Sequence, residues 1–278
     1  MIKKIAISAG VCSAGGKGAR DPMEQQHRAT ARVLDILERL AASKEGLTLT
    51  GLSLAMDAPK SSLFPIVHTL EGRRYLRQEP STGRYTIGPG ALTLSASAAA
   101  DQGLRPIVRV MKQVVERCQE TCQLGILDQD SVLYVEKEDS PQAIRMISRV
   151  GNRLPANATA IGKALLSGLT DQQIRHLYAG GLPRLTEQTV TDLEALLTQL
   201  RSVREGGIAM EQEESTPQLA CWAVPLRQRQ RVFSALSVSV PLFRCQPEKV
   251  DLVCRCLLEA RTEIEELAKI QEFTVSKN

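Results

Sequence analysis

Two serines, Ser237 and Ser239, stand two residues apart in Ala235-Leu-Ser-Val-Ser-Val-Pro. The alternation predicts a strand with Ala235, Ser237 and Ser239 on one face and Leu236, Val238 and Val240 on the other. Hydroxyls on an apolar strand need partners, and a small polar ligand would supply them. Further upstream, Asn157 is expected to cap a helix beginning near Thr159. The amides of Ala160 and Ile161 would then face an open site, as helix N-termini do when they bind carboxylates. A third set, Lys60, Ser61, Ser62, Phe64 and His68, falls on the outward face of a predicted helix. Arg73, Arg74, Arg77 and Arg84 surround a predicted hairpin just after it. Hydroxyls and a lysine at a helix start suit phosphates and base edges, and arginines at a hairpin suit flanking backbone.

Other reactive residues carry less. Cys221 with His176 as base would make a cysteine-dependent enzyme. Nothing in the sequence brings the two together or orients the histidine, so no enzyme is expected. Cys118 and Cys122 lie four apart, read as one helix, and Cys254 and Cys256 two apart. Neither pair has the spacing of a strong zinc site, and the chain has only three histidines, so core thiols are expected and neither metal nor cofactor. Gly15-Gly16-Lys17 lacks the first glycine and the hydroxyl of a phosphate loop.

The elements that must position these residues follow from composition and periodicity. With 278 residues, 43% apolar and 24% charged, the chain is expected to form two folded domains. Residues 1–103 hold 13 Lys+Arg against 9 Asp+Glu, and residues 104–278 hold 22 of each. A small basic module therefore precedes a neutral one, and a polyanion is its natural partner. Seven irregularly placed cysteines fit a reducing, cytoplasmic setting. No apolar run is long enough for a membrane span. Residues 1–22 are read as a leader, disordered or upstream of a true start at Met23.

Helices are expected over 28–42, 48–56 and 60–73, followed by strands over 75–78 and 84–87. Three helices and a hairpin in this span are a winged helix-turn-helix, with the third helix in a DNA major groove. The domain is placed at 23–88. An alanine-rich stretch, 89–103, is read as a linker helix. The remaining domain, 104–278, groups strands first and last (123–127, 132–137 and 143–149, then 208–213, 221–226 and 233–240). Helices lie between them, with a long terminal one over 247–270. This is an α+β pattern.

Several blocks then become specific: Arg32-Val-Leu-Asp-Ile-Leu, Pro59-Lys-Ser-Ser-Leu, Leu70-Glu-Gly-Arg-Arg-Tyr-Leu and Gly83-Arg-Tyr-Thr-Ile-Gly-Pro. The second domain adds Arg149-Val-Gly-Asn-Arg-Leu-Pro-Ala-Asn-Ala-Thr-Ala-Ile-Gly-Lys-Ala-Leu-Leu, Gly206-Gly-Ile-Ala-Met-Glu-Gln-Glu-Glu and Cys221-Trp-Ala-Val-Pro-Leu. Through these the chain resembles the IclR family of bacterial transcriptional regulators, from about Arg28 to Leu267. The resemblance implies a winged helix-turn-helix, a helical linker and a GAF/profilin-like effector-binding domain. It implies homodimers, often paired into tetramers, on near-palindromic double-stranded DNA operators. It also places Met146, Leu154, Glu211, Leu219 and Cys221 on the effector pocket wall beside Ala160, Ile161, Ser237 and Ser239.

Four positions depart from the family. Pro65 replaces an arginine in the recognition helix and is expected to kink it or delay its start, at about 3 kcal/mol. Arg74 replaces a glycine and is expected to alter the following turn. Ile161, bulkier than the usual Gly or Ala, narrows the pocket, and Glu211 replaces an aspartate. The expected protein is a cytoplasmic repressor sensing a small carboxylic acid of carbon metabolism. The alternative is a sensor that has lost its operator.

Overall fold

The computed structural model describes residues 27–94, 103–146, 148–270 and 273. The leader and most of the linker stretch lie outside them. The chain divides into two compact units, Met1–Ser97 and Ala98–Asn278.

The first unit contains α1 (Arg28–Ala42), β1 (Leu47–Thr48), α2 (Leu49–Ala55), α3 (Lys60–Gly72), β2 (Leu76–Gln78) and β3 (Arg84–Ile87). A further helix, α4, is described over residues 90–94. Ile36, Leu40, Leu52, Leu63, Val67 and Leu70 bury the inner stripes of the first three helices against Leu76 and Tyr85. These positions recur at three- and four-residue steps, so one face of each helix is apolar. The strands form an antiparallel sheet in the order β1-β3-β2. β1 is an addition to the expected hairpin: Leu47 and Thr48 pair with Tyr85 and Arg84. Thr48 then caps α2 by accepting from the Gly51 amide at 3.1 Å.

One expectation at α3 is corrected. The helix starts at Lys60 and runs unbroken through Pro65 to Gly72, so Pro65 does not delay its start. Leu63, Val67 and Leu70 hold it from the buried side, and tertiary packing outweighs the missing amide bond. In the turn that follows, Arg74 adopts a φ of 64°. That is the left-handed region a glycine occupies at lower cost.

The second unit contains α5 (Arg105–Cys118), β4 (Thr121–Asp128), β5 (Ser131–Glu138), β6 (Arg153–Pro155), a 3-10 turn (Ala156–Ala158), α6 (Ala160–Leu166), α7 (Asp171–Leu177), α8 (Leu193–Arg204), β7 (Ala209–Gln212), β8 (Leu219–Gln228), β9 (Arg231–Pro241), a second 3-10 turn (Leu242–Arg244) and α9 (Pro247–Ile270). Its six strands are antiparallel in the order β6-β5-β4-β9-β8-β7. Both faces are covered. Leu236, Val238 and Val240 of β9 pack with α5 and α9 in one core. Ala235, on the opposite face, packs with α6, α7 and α8 in the other. The strand expected over 143–149 does not form. Its described residues are irregular, and the sheet edge is instead Arg153–Pro155, where Leu154 pairs with Val132. Cys118 and Cys122 do not share a helix: Cys118 ends α5 and Cys122 lies in β4.

Candidate functional site

The register of the sheet lines up the polar residues of the second unit. Ser237 of β9 stands opposite Gln123 of β4, and Ser239 opposite Cys221 of β8. Cys221 in turn stands opposite Glu211 of β7. Antiparallel partners point their side chains to the same face, so this row forms a floor across four strands. Above it stands the start of α6.

One cavity lies there, lined by Met146, Leu154, Ala160, Ile161, Glu211, Leu219, Cys221, Ser237 and Ser239. All nine residues singled out from the sequence are thus brought together. Gln123, Tyr134, Thr159 and Ser215 also line it. Gln123 and Tyr134 were missed because their place depends on strand register, and Thr159 and Ser215 because theirs depends on the cap of α6 and the turn after β7. Gln123 carried a signal, an amide amid the apolar and small residues of a buried strand, and Thr159 another, as a residue suited to a helix cap. The cavity is tight, with room for about one water.

Its polar groups are organised. Ser239 Oγ donates to Gln123 Oε1 at 3.1 Å and Ser237 Oγ to the same oxygen at 3.5 Å. The Cys221 thiol donates to Ser239 Oγ at 3.2 Å. Glu211 accepts from the Glu214 amide at 2.8 Å and from the Ser215 hydroxyl at 3.0 Å. Burial, the largest influence, still pushes the Glu211 carboxyl above its usual range. Burial likewise pushes the Tyr134 phenol and the Cys221 thiol well up, so both stay protonated.

The cap of α6 corrects the sequence reading. Thr159, not Asn157, is the N-cap, accepting from the Gly162 amide at 3.1 Å. Asn157 is buried just before it, and its Nδ2 donates to the carbonyls of Pro183 and Val190 at 2.9 and 3.3 Å. It ties down the segment leading to α8. Gly162 is required for close approach: a Cβ there would lie 2.2 Å from the Ala156 carbonyl oxygen.

In the first unit the candidate DNA-contacting residues divide. Lys60, Ser61, Phe64 and His68 are exposed on α3, with the Phe64 and His68 rings 5.9 Å apart. Arg74 and Arg77 are exposed as well. Ser62 turns back, its hydroxyl donating to Pro59 O at 2.8 Å. Arg84 donates to Gly46 O at 2.8 Å and so braces the sheet. Arg73 lines an apolar groove with Val33, Leu37, Pro65 and Thr69. Opposite the buried stripe of α3, the outermost line is Ser61, Pro65, His68 and Gly72, which holds no arginine.

The enzyme pairing does not assemble. His176 is exposed on α7 in a separate groove with Gln129 and Gln173, whereas Cys221 lines the cavity. Among the described residues no group of three or more His, Cys, Asp or Glu is placed to hold a metal ion, and no helix is long and apolar enough to cross a membrane.

Comparison with known proteins matches both units. Residues 29–80 match the IclR helix-turn-helix domain, and residues 101–266 match the domain described as bacterial transcriptional regulator IclR C-terminal. The HTH-type transcriptional regulator KdgR of Escherichia coli is 35% identical over 222 residues, covering 79% of this chain and 84% of KdgR. The transcriptional repressor IclR of the same organism is 27% identical, covering 88% of this chain and 92% of its own. An IclR homologue from Microbacterium hydrocarbonoxydans, solved with 4-hydroxybenzoate, superposes with a TM-score of 0.75 at 25% identity, covering 87% of this chain and all of that one. The chain belongs to the IclR family of bacterial transcriptional regulators.

Proposed function

We propose that this protein is a cytoplasmic repressor that binds a near-palindromic duplex operator as a homodimer or dimer of dimers and is controlled by a small carboxylic acid. Residues 23–88 form the DNA-binding module, residues 89–103 a linker helix and residues 104–278 the effector module. The observation that carries the reading is the cavity over the Glu211–Cys221–Ser239 row, with its polar floor and apolar walls. Such a pocket fixes a small polar molecule by a few placed groups. With room for about one water, it must widen to admit an acid. That displacement is the event the linker helix transmits to the DNA-binding modules. Lys60, Ser61, Phe64 and His68 contact the groove, and Arg74 and Arg77 the flanking backbone.

Selection of genomic DNA fragments on the purified protein tests this. Fragments sharing an inverted repeat, bound with a steep salt dependence, are expected. Ligand and DNA affinities must be reciprocally coupled. Equal affinity of the acid for free and DNA-bound protein would overturn the control mechanism.

Pro65 favours one second reading, a sensor without an operator, because the centre of the recognition face offers no guanidinium. A folded oligomer that enriches no fragment would support it.

A further inference from the structure

We propose that Gln123 recognises the effector's acceptor oxygen, its Nε2 donating to a carboxylate or 2-oxo oxygen within the cavity. This rests on the reading of the cavity as an effector site. It also assigns the ligand's orientation there.

The hydrogen bonds around Gln123 leave one job undone. Both serine hydroxyls converge on its Oε1. Each serine has one proton, and Ser239 Oγ already takes the Cys221 thiol proton. The doubly solvated atom of the amide is therefore its carbonyl oxygen, with both lone pairs used. Nε2 is left with two N–H groups, buried and without a hydrogen-bond partner, on a residue only 2% exposed. An orphaned donor of this kind is costly, and a ligand oxygen relieves it.

The rest of the cavity directs an acid to the same end. No lysine, arginine or histidine lines it, so neutral donors must meet the acid's oxygens. The Ser237, Ser239 and Ser215 protons are committed to Gln123 and Glu211. The Tyr134 phenol, held protonated by burial, is a further donor on the wall. Glu211 stands at the far side: its strand is three positions from that of Gln123, about 14 Å at the usual strand spacing. Its oxygens accept amide and hydroxyl protons and repel a carboxylate. The acid's acceptor oxygens are thus turned toward Gln123 and away from Glu211.

The test uses the full chain, titrated calorimetrically with glyoxylate, pyruvate, glycolate and lactate. Gln123→Glu keeps the oxygen that the serines need and removes the donor. Gln123→Leu removes both. Both variants are expected to weaken the best-bound acid about tenfold or more. Unchanged affinity in both variants would overturn the role of Gln123 and leave the acid reading standing. Failure of all four acids to bind the unaltered protein would overturn both. If neither variant folds, a crystal of the unaltered protein with the best-bound acid decides. An acid oxygen within hydrogen-bonding distance of Nε2 is expected, and an acid bound without that contact overturns the assignment.

Discussion

Lys163 of α6 and Glu214, just past β7, form an ion pair whose side chains are 1% and 8% exposed. The lysine also donates to Met210 O at 3.4 Å, and Glu214 accepts from the Val190 amide at 3.2 Å. This pair joins the helix over the cavity to the strand that carries Glu211. Removing one partner leaves the other charge buried. Lys163→Ala is expected to lose about 3–5 kcal/mol of stability, read from urea unfolding. A loss under about 1 kcal/mol, the range of surface pairs, would show that the charges are hydrated in solution.

Arg74 sits in a left-handed conformation at the end of the recognition helix. Arg74→Gly relieves the Cβ strain but gives the unfolded chain more freedom. The strain, about 1–2 kcal/mol, is the larger effect. A modest rise in the midpoint of thermal unfolding is expected. A fall would mean that the arginine side chain makes a contact worth more than the strain.

Pro65 lies five residues after the first residue of α3, where an ordinary residue would donate to the preceding turn. Pro65→Arg is expected to stabilise the first unit and to strengthen operator binding, because the new guanidinium stands on the outermost line of the helix. The helical gain is bounded by about 3 kcal/mol. Unaltered DNA affinity in a binding titration would show that this line does not face the groove.

Burial raises the Glu211 carboxyl above its ordinary value of 4.5. The folded state therefore holds that proton more tightly than the unfolded state does. Its contribution to stability is fully present below the unfolded value and is lost as pH rises through the higher folded one. Glu211→Gln is expected to remove this part of the pH dependence, measured as the stability difference from the unaltered protein between about pH 4 and 7. A difference that stays flat across that window would show that the carboxylate is adequately solvated by its hydrogen bonds.

Cys221 is buried, and its thiol is pushed well above its ordinary value, first by desolvation and then by Glu211. The thiolate is the reactive species, so native Cys221 is expected to resist an aromatic disulfide reagent until the protein unfolds. Peptide mapping of the labelled protein checks this. Rapid labelling of Cys221 in the native state would reopen nucleophilic chemistry at the cavity.

Periodicity in the sequence was enough for much of this architecture. The three helices of the first unit, the Ser237/Ser239 face and the long α9 follow from apolar residues at helical or alternating spacing, because those patterns must bury one face. The sequence blocks also identified the family and with it five of the nine cavity residues, and the serine strand and the start of α6 supplied the other four. Tertiary structure decided what local pattern cannot encode. Strand register set Gln123 beside Ser237 and Ser239, and the edge strand fell at Arg153–Pro155 rather than over 143–149. Asn157 and Thr159 both suit a helix cap, and only the fold assigned the cap to Thr159 and gave Asn157 to the loop carbonyls of Pro183 and Val190. Pro65 and Arg74 each break a local rule of the backbone. Packing of Leu63, Val67 and Leu70 overrode the first, and the tertiary turn compelled the second. In each case non-local contacts outweigh a local preference of a few kcal/mol.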